Sequence, residues 1–123
     1  MATINVSEAT GNVLNWMVGQ AINKTFTCYP YFNSSYVCMI TGDFIEQEWS
    51  PSTEWDQAGP LLDQYDISIL GDGVGESKCK AILVSQDTGK AYCMTGPTSL
   101  IAVMRVLVVY LLGTEVDVPE DIQ

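Results

Sequence analysis

The sequence predicts an α+β fold: an antiparallel sheet with two main helices, the C-terminal helix central and buried. Three observations predict it. Residues 97–112 are apolar almost all round a helix. Residues 66–95 hold strand-like runs joined by tight turns, which makes neighbouring strands antiparallel. A helical apolar face, Val13, Leu14, Met17, Val18 and Ala21, follows a short alternating run at the start of the chain. An antiparallel sheet with its helices packed mainly on one face satisfies this order of elements. All 123 residues fit one domain, 1–123, since no linker or repeat divides them.

Taken in order, residues 3–6 alternate and read as an edge strand. Ser7 is a fair N-cap for a helix running to about Ile22. Residues 25–29 and 35–40 look like two strands, with 30–34 as the turn between them. Within 44–62, Ser52 or Thr53 can cap a helical turn, and residues 61–65 can finish a short helix. Residues 66–70 alternate as a strand, and 78–85 is the best strand in the chain. Asp87-Thr-Gly89 is a hairpin turn, and 91–95 is its return strand. Gly96-Pro97 then starts the apolar helix, because Pro is tolerated in a first turn where its missing N–H costs nothing. Gly113 stops it as a left-handed cap. The acidic tail from Glu115 runs extended against the surface.

Composition narrows the function. The formal net charge is −10, which opposes nucleic-acid binding and an anionic membrane surface. The helix at 97–112 is shorter than the roughly 20 residues of a bilayer span and carries Arg105 near its middle, so a buried soluble helix is expected. The chain has no histidine, the commonest general base and zinc ligand. Its four cysteines, Cys28, Cys38, Cys79 and Cys93, show no CxxC spacing. With no signal-peptide pattern, the expectation is a cytosolic protein with reduced thiols. No metal, cofactor or activated nucleophile is implied, so no catalytic residue is assigned.

Two features stand out as binding chemistry. The first is Trp49-Ser-Pro-Ser-Thr-Glu-Trp-Asp-Gln-Ala-Gly-Pro-Leu-Leu62. It crowds rigid rings, hydroxyls and turn residues together, as a small-molecule pocket requires. A capped turn whose tryptophans close the core accounts for it equally well. The second is Arg105, the only arginine. A buried guanidinium needs a partner. Thr98, Ala102, Arg105 and Val109 share a helical stripe. Arg105 therefore pairs either with Glu54, Asp56 or Asp63, or with an anionic ligand beside Thr98.

Ser50-Pro-Ser-Thr-Glu-Trp-Asp-Gln-Ala-Gly-Pro-Leu-Leu62, followed by Gly96-Pro-Thr-Ser-Leu-Ile-Ala-Val-Met-Arg105, resembles the NinX-like phage family. Leu14-Asn-Trp16 and Leu112-Gly-Thr-Glu-Val-Asp-Val-Pro-Glu120 are similar to it too, whereas residues 23–48 match no named pattern. The resemblance implies a phage-encoded accessory protein acting in the host cytoplasm and carries no established chemistry with it. Small phage accessory proteins include sponges that trap nucleotide immune signals, an analogy of class only.

The expected function is therefore non-catalytic sequestration of a nucleotide-derived signal, of cyclic dinucleotide or ADP-ribose type. Arg105 would take a phosphate. Trp49 or Trp55 would stack on a base. Ser50, Ser52, Thr53, Gln57 and Thr98 would bond sugar hydroxyls or phosphate, and Asp56 would accept from ribose. A pocket shared between subunits implies a homo-oligomer. The alternative is an acidic interaction protein that inhibits a host nuclease or regulator, with its aromatics in the core or at hot spots.

Overall fold

The computed structural model describes residues 2–22, 26–30, 36–41, 46–48, 50–70 and 79–118. The architecture is α+β, built from antiparallel strands and three α-helices. The strands are β1 (Ala2–Asn5), β2 (Phe26–Pro30), β3 (Tyr36–Thr41), β4 (Glu46–Glu48), β5 (Ile67–Leu70), β6 (Cys79–Val84), β7 (Ala91–Gly96) and β8 (Glu115–Val118). The helices are α1 (Gly11–Ala21), α2 (Trp55–Tyr65) and α3 (Ser99–Leu112). Where the sequence suggests one sheet, the strands form three small ones, ordered β1-β8, β2-β3-β4 and β5-β6-β7. Each pairing is antiparallel.

Helix α3 is the hub. Val103, Met104, Val106, Leu107 and Val108 are fully buried, while Ile101 and Leu111 are partly buried against the same core. One side of α3 lies on β5-β6-β7. Register pairs Ile67 with Leu83 and Leu83 with Tyr92, so these three share the inner face by strand alternation. Ser68, Val84, Ala91 and Cys93 are exposed on the opposite face. The other side of α3 receives Leu14, Met17 and Val18 of α1. At its start, Gly96 lets β7 turn tightly into the helix, because a Cβ there would stand 2.9 Å from the Ala102 amide nitrogen.

Several local expectations are corrected. Ser7 does not cap α1. Asn5 Oδ1 accepts from the Ser7 amide at 3.0 Å and from its hydroxyl at 2.8 Å, closing a single 3-10 turn at Val6–Glu8. A continuous helix would need the Ala9 carbonyl for the Val13 amide, and that carbonyl accepts from Arg105 instead. Helix α1 therefore begins after an extended Thr10, with Gly11 at φ 57. Helix α2 makes a third full helix and runs through Gly59-Pro60, which reads in sequence as a break. Pro60 forgoes only the bond to the Asp56 carbonyl, and Asp56 lies at the exposed first turn, where water can serve. Neither Ser52 nor Thr53 caps α2; its N-cap is Glu54, with no side-chain bond.

The end of α3 and the tail also differ in detail. Gly113 stops the helix at φ 104 and ψ −175, a region open to glycine and distinct from the expected left-handed cap. The acidic tail does not merely lie against the surface. Glu115–Val118 pairs with β1 as β8, and Thr3 Oγ1 donates to Asp117 Oδ1 at 2.6 Å. Strand β4, Glu-Gln-Glu, has weak strand propensity and forms on the edge of β3, where backbone pairing outweighs residue preference.

Candidate functional site

The turn before α2 is built from backbone and fixed by two side chains. The Ser50 carbonyl accepts from the Thr53 amide at 3.1 Å and the Glu54 amide at 2.9 Å, which folds residues 51–53 into a turn. Gln57 Oε1 accepts from the Ser50 amide at 2.6 Å, so α2 holds the turn from its own first coil. Asn15, buried in α1, accepts from the Ser52 amide through Oδ1 at 3.0 Å and ties the turn to the core. Pro51 is fully buried beneath it.

Ser52 is only 2% exposed, and its Oγ is buried with no hydrogen-bond partner. Among the described residues it is the one buried side-chain polar atom in that condition. Such a group costs free energy while it stays unpaired, so native proteins rarely keep one without a use.

Opposite this turn stands the start of α3. Thr98 is its N-cap, with extended backbone and Oγ1 accepting from the Ile101 amide at 3.2 Å. A groove of about 370 Å³ lies between the two elements. Ser52, Thr53 and Trp55 line one side; Thr98, Ser99, Leu100 and Ile101 line the other. Trp55 is 53% exposed, the most exposed large hydrophobic side chain among the described residues. Among the described residues that line the groove there is no Lys or Arg, and the element there that favours an anion is the N-terminus of α3.

The structure thus brings together Ser52, Thr53, Trp55 and Thr98. Ser50 and Gln57 bond each other and shape the turn from behind. Asp56 is exposed on the first turn of α2. Trp49 lies outside the described residues.

Arg105 is buried elsewhere. Its Nε donates to the Ala9 carbonyl at 3.0 Å and its Nη1 to the Thr95 carbonyl at 2.9 Å. These backbone carbonyls, and not Glu54, Asp56 or Asp63, are its partners among the described residues. The shared stripe with Thr98 fails because Thr98 is the cap, outside the helical dihedrals to which the 3–4 spacing applies. Burial lowers the pKa of Arg105 from its ordinary value by desolvation. The guanidinium clamps the loop before α1 to Thr95 near the end of β7, three residues before the groove's Thr98.

Sequence reasoning missed Asn15 and the first-turn residues Ser99, Leu100 and Ile101. Gly96-Pro-Thr-Ser99 was the signal for the latter, since a cap motif marks a helix N-terminus.

A second cleft, of about 360 Å³, opens beside Asp66, Ser68, Ile82, Val84, Ser85 and Gln86. Its described lining holds a carboxylate and no helix start, and an adjoining smaller cleft that shares Asp66, Val84 and Gln86 is lined by Tyr65 and Tyr110; the carboxylate makes it the poorer site for an anionic molecule. Among the described residues no group of His, Cys, Asp or Glu could hold a metal ion. None of their helices is long and apolar enough to cross a membrane. Cys93 is a free, exposed thiol. The side chains of Cys28, Cys38 and Cys79 lie outside the described residues.

Comparison with curated proteins gives no match. A family profile described as bacteriophage P22, NinX, matches residues 5–110, a span that contains α1, the 50–57 turn, the groove and Arg105. The resemblance carried by the 50–62 and 96–105 motifs therefore holds over most of the chain, and the protein belongs to the phage NinX family.

Proposed function

We propose that this phage protein binds a small nucleotide-derived molecule in the groove between the 50–55 turn and the start of α3, and sequesters it without catalysis. The observation that carries the reading is the company Ser52 keeps. A buried hydroxyl without a partner sits in the wall of a groove that also presents an exposed indole and a helix N-terminus. A flat base stacks on Trp55. An anionic group meets the first-turn amides of α3. The hydroxyl of Thr53, an exposed residue, bonds sugar or phosphate oxygens, Ser52 lines the same wall, and Asp56, exposed beside Trp55, accepts from a ribose hydroxyl. Arg105 supports the site by holding Thr95, and Ser50 and Gln57 support it by holding the turn.

The setting is the host cytoplasm, where cyclic dinucleotide and ADP-ribose type signals act, and the working form is a homo-oligomer. Neither a metal nor a cofactor has a part in this reading. The test is a thermal-shift screen of the full chain, with no protein partner present, against cyclic dinucleotides, cyclic mononucleotides and ADP-ribose. A ligand at one hundred times its Kd raises stability by about 2.7 kcal/mol. A flat response across the panel would contradict the reading.

A second reading rests on the net charge of −10. An acidic surface of this kind suits a protein that blocks a host nuclease or regulator by direct contact. It predicts stabilisation by a protein partner, weakening steeply with salt, and no response to nucleotides.

A further inference from the structure

We infer that Cys28 and Cys38 form a reversible disulfide site, closed by exchange with a small-molecule disulfide and reopened by exchange with a thiol. The inference concerns the β2-β3-β4 sheet and is independent of the groove.

The backbone brings the two cysteines together. Strands β2 and β3 pair antiparallel, and their register sets Cys28 directly opposite Cys38, between Thr27 opposite Met39 and Tyr29 opposite Val37. Directly opposed residues of such a ladder have Cα atoms about 5.5 Å apart when the pair is hydrogen-bonded and about 4.5 Å apart when it is not. A disulfide spans Cα separations of about 4.4–6.8 Å, so both kinds of pair lie within its reach. The other two cysteines are not opposed to each other. Cys79 stands opposite Gly96, and Cys93 stands opposite Ile82, three positions along β6. Three positions are about 10 Å of strand, beyond the roughly 7 Å past which two cysteines cannot be bridged. Cys93 is a free, exposed thiol and serves as the internal control: accessible, but with Ile82 rather than a cysteine opposite it.

The same register makes the bond reversible. Opposed Cβ atoms of an antiparallel pair lie about 4.5–5.5 Å apart, and a disulfide draws them to about 3.8 Å. Closing the bond therefore strains the ladder, and a strained disulfide is the more readily reduced. With glutathione disulfide as the oxidant, the Cys28 thiolate attacks one of its sulfurs and displaces one glutathione thiolate. The Cys38 thiolate then attacks the Cys28 sulfur of the mixed disulfide and displaces the second glutathione thiolate. The two protons that the cysteines lose end on the two glutathione thiols. The protein gives up two electrons and the oxidant takes up two. Excess reduced glutathione runs the sequence backwards.

The test exposes the full chain, first fully reduced, to glutathione disulfide, alkylates the remaining thiols, and maps the cysteines by mass spectrometry after chymotrypsin digestion. Cleavage after Tyr31, Phe32 or Tyr36 separates Cys28 from Cys38, so a bond between them holds two peptides together. Cys28 and Cys38 should lose alkylation together and appear as that linked pair in the monomer, while Cys93 carries glutathione or the alkyl label. Excess reduced glutathione should return both thiols. Separate adducts or alkylated thiols at Cys28 and Cys38, a bond from either to Cys93 or to a second chain, or a Cys28–Cys38 bond that reduced glutathione leaves intact, would overturn the inference. Cys38→Ser provides the second arm. Its Cys28 should stop at the mixed disulfide and accumulate the adduct that the parent chain resolves; the same amount of adduct in both proteins would overturn the exchange.

Discussion

Replacing Arg105 with alanine removes two hydrogen bonds that join segments far apart in sequence. Nε holds the carbonyl of Ala9, a residue 2% exposed, at 3.0 Å. A hydrogen bond to a charged group is worth roughly 1.5–3 kcal/mol, and here the abandoned carbonyl stays out of water. The second bond, to Thr95, contributes less, because Thr95 is exposed and its carbonyl can be rehydrated. The side-chain stem packs at the middle of α3, and its loss leaves a cavity worth about 1–2 kcal/mol. Relief of the buried guanidinium's desolvation offsets part of the total. The net loss should be about 2–4 kcal/mol. Arg105→Lys should fall between, since an ammonium on a single stem cannot copy the fork that reaches both carbonyls. Urea unfolding measures both variants, and an unchanged m-value would show that the native fold is the one being compared. A loss within about 0.5 kcal/mol, the range of ordinary surface substitutions, would refute the clamp.

Three further expectations follow from single contacts. Leu107→Ala, at a fully buried position of α3, should cost about 2–5 kcal/mol by the same assay. Gly96→Ala should destabilise by about 1–3 kcal/mol, because its Cβ would meet the Ala102 amide nitrogen at 2.9 Å and backbone cannot swing aside as a side chain can. Ser52→Ala should leave the unliganded protein as stable or raise its stability by up to about 1–3 kcal/mol, since it deletes a buried hydroxyl without a partner; a clear loss in the melt would show that the hydroxyl serves the fold.

Much of the fold could be read directly, for identifiable reasons. The apolar run of α3 and the hairpin of β6 and β7 rest on local signals: uniform hydrophobicity, a Gly113 stop and an Asp87-Thr-Gly89 turn. The division into three sheets was not legible, because β1 finds its partner in β8 at the far end of the chain, and no local pattern encodes that pairing. Ser7 misled because a serine before a helical pattern resembles a cap, while Asn5 in fact engages it. The short helix expected to finish at 61–65 extends back to Trp55, through Gly59-Pro60, because the carbonyl that Pro60 leaves unpaired lies in the exposed first turn.

The candidate site divides in the same way. The hydroxyls and indole at 52–55 advertised themselves by composition. Their meeting with the start of α3 depended on tertiary placement through Asn15. Arg105 was recognisable as a buried cation needing a partner, but its partners are backbone carbonyls, and a carbonyl belongs to every residue alike.

The central claim is that the groove at the start of α3 receives the ligand, and amide chemical-shift mapping during titration with cyclic AMP tests it most directly. Binding there should move the amides of Ser52, Thr53, Trp55, Ser99 and Leu100 together, along with the Trp55 indole N–H, and leave Ser68 and Val84 on the outer face of β5-β6-β7 unmoved. Shifts gathered around Asp66, Val84 and Gln86, or no shifts at saturating nucleotide, would contradict it.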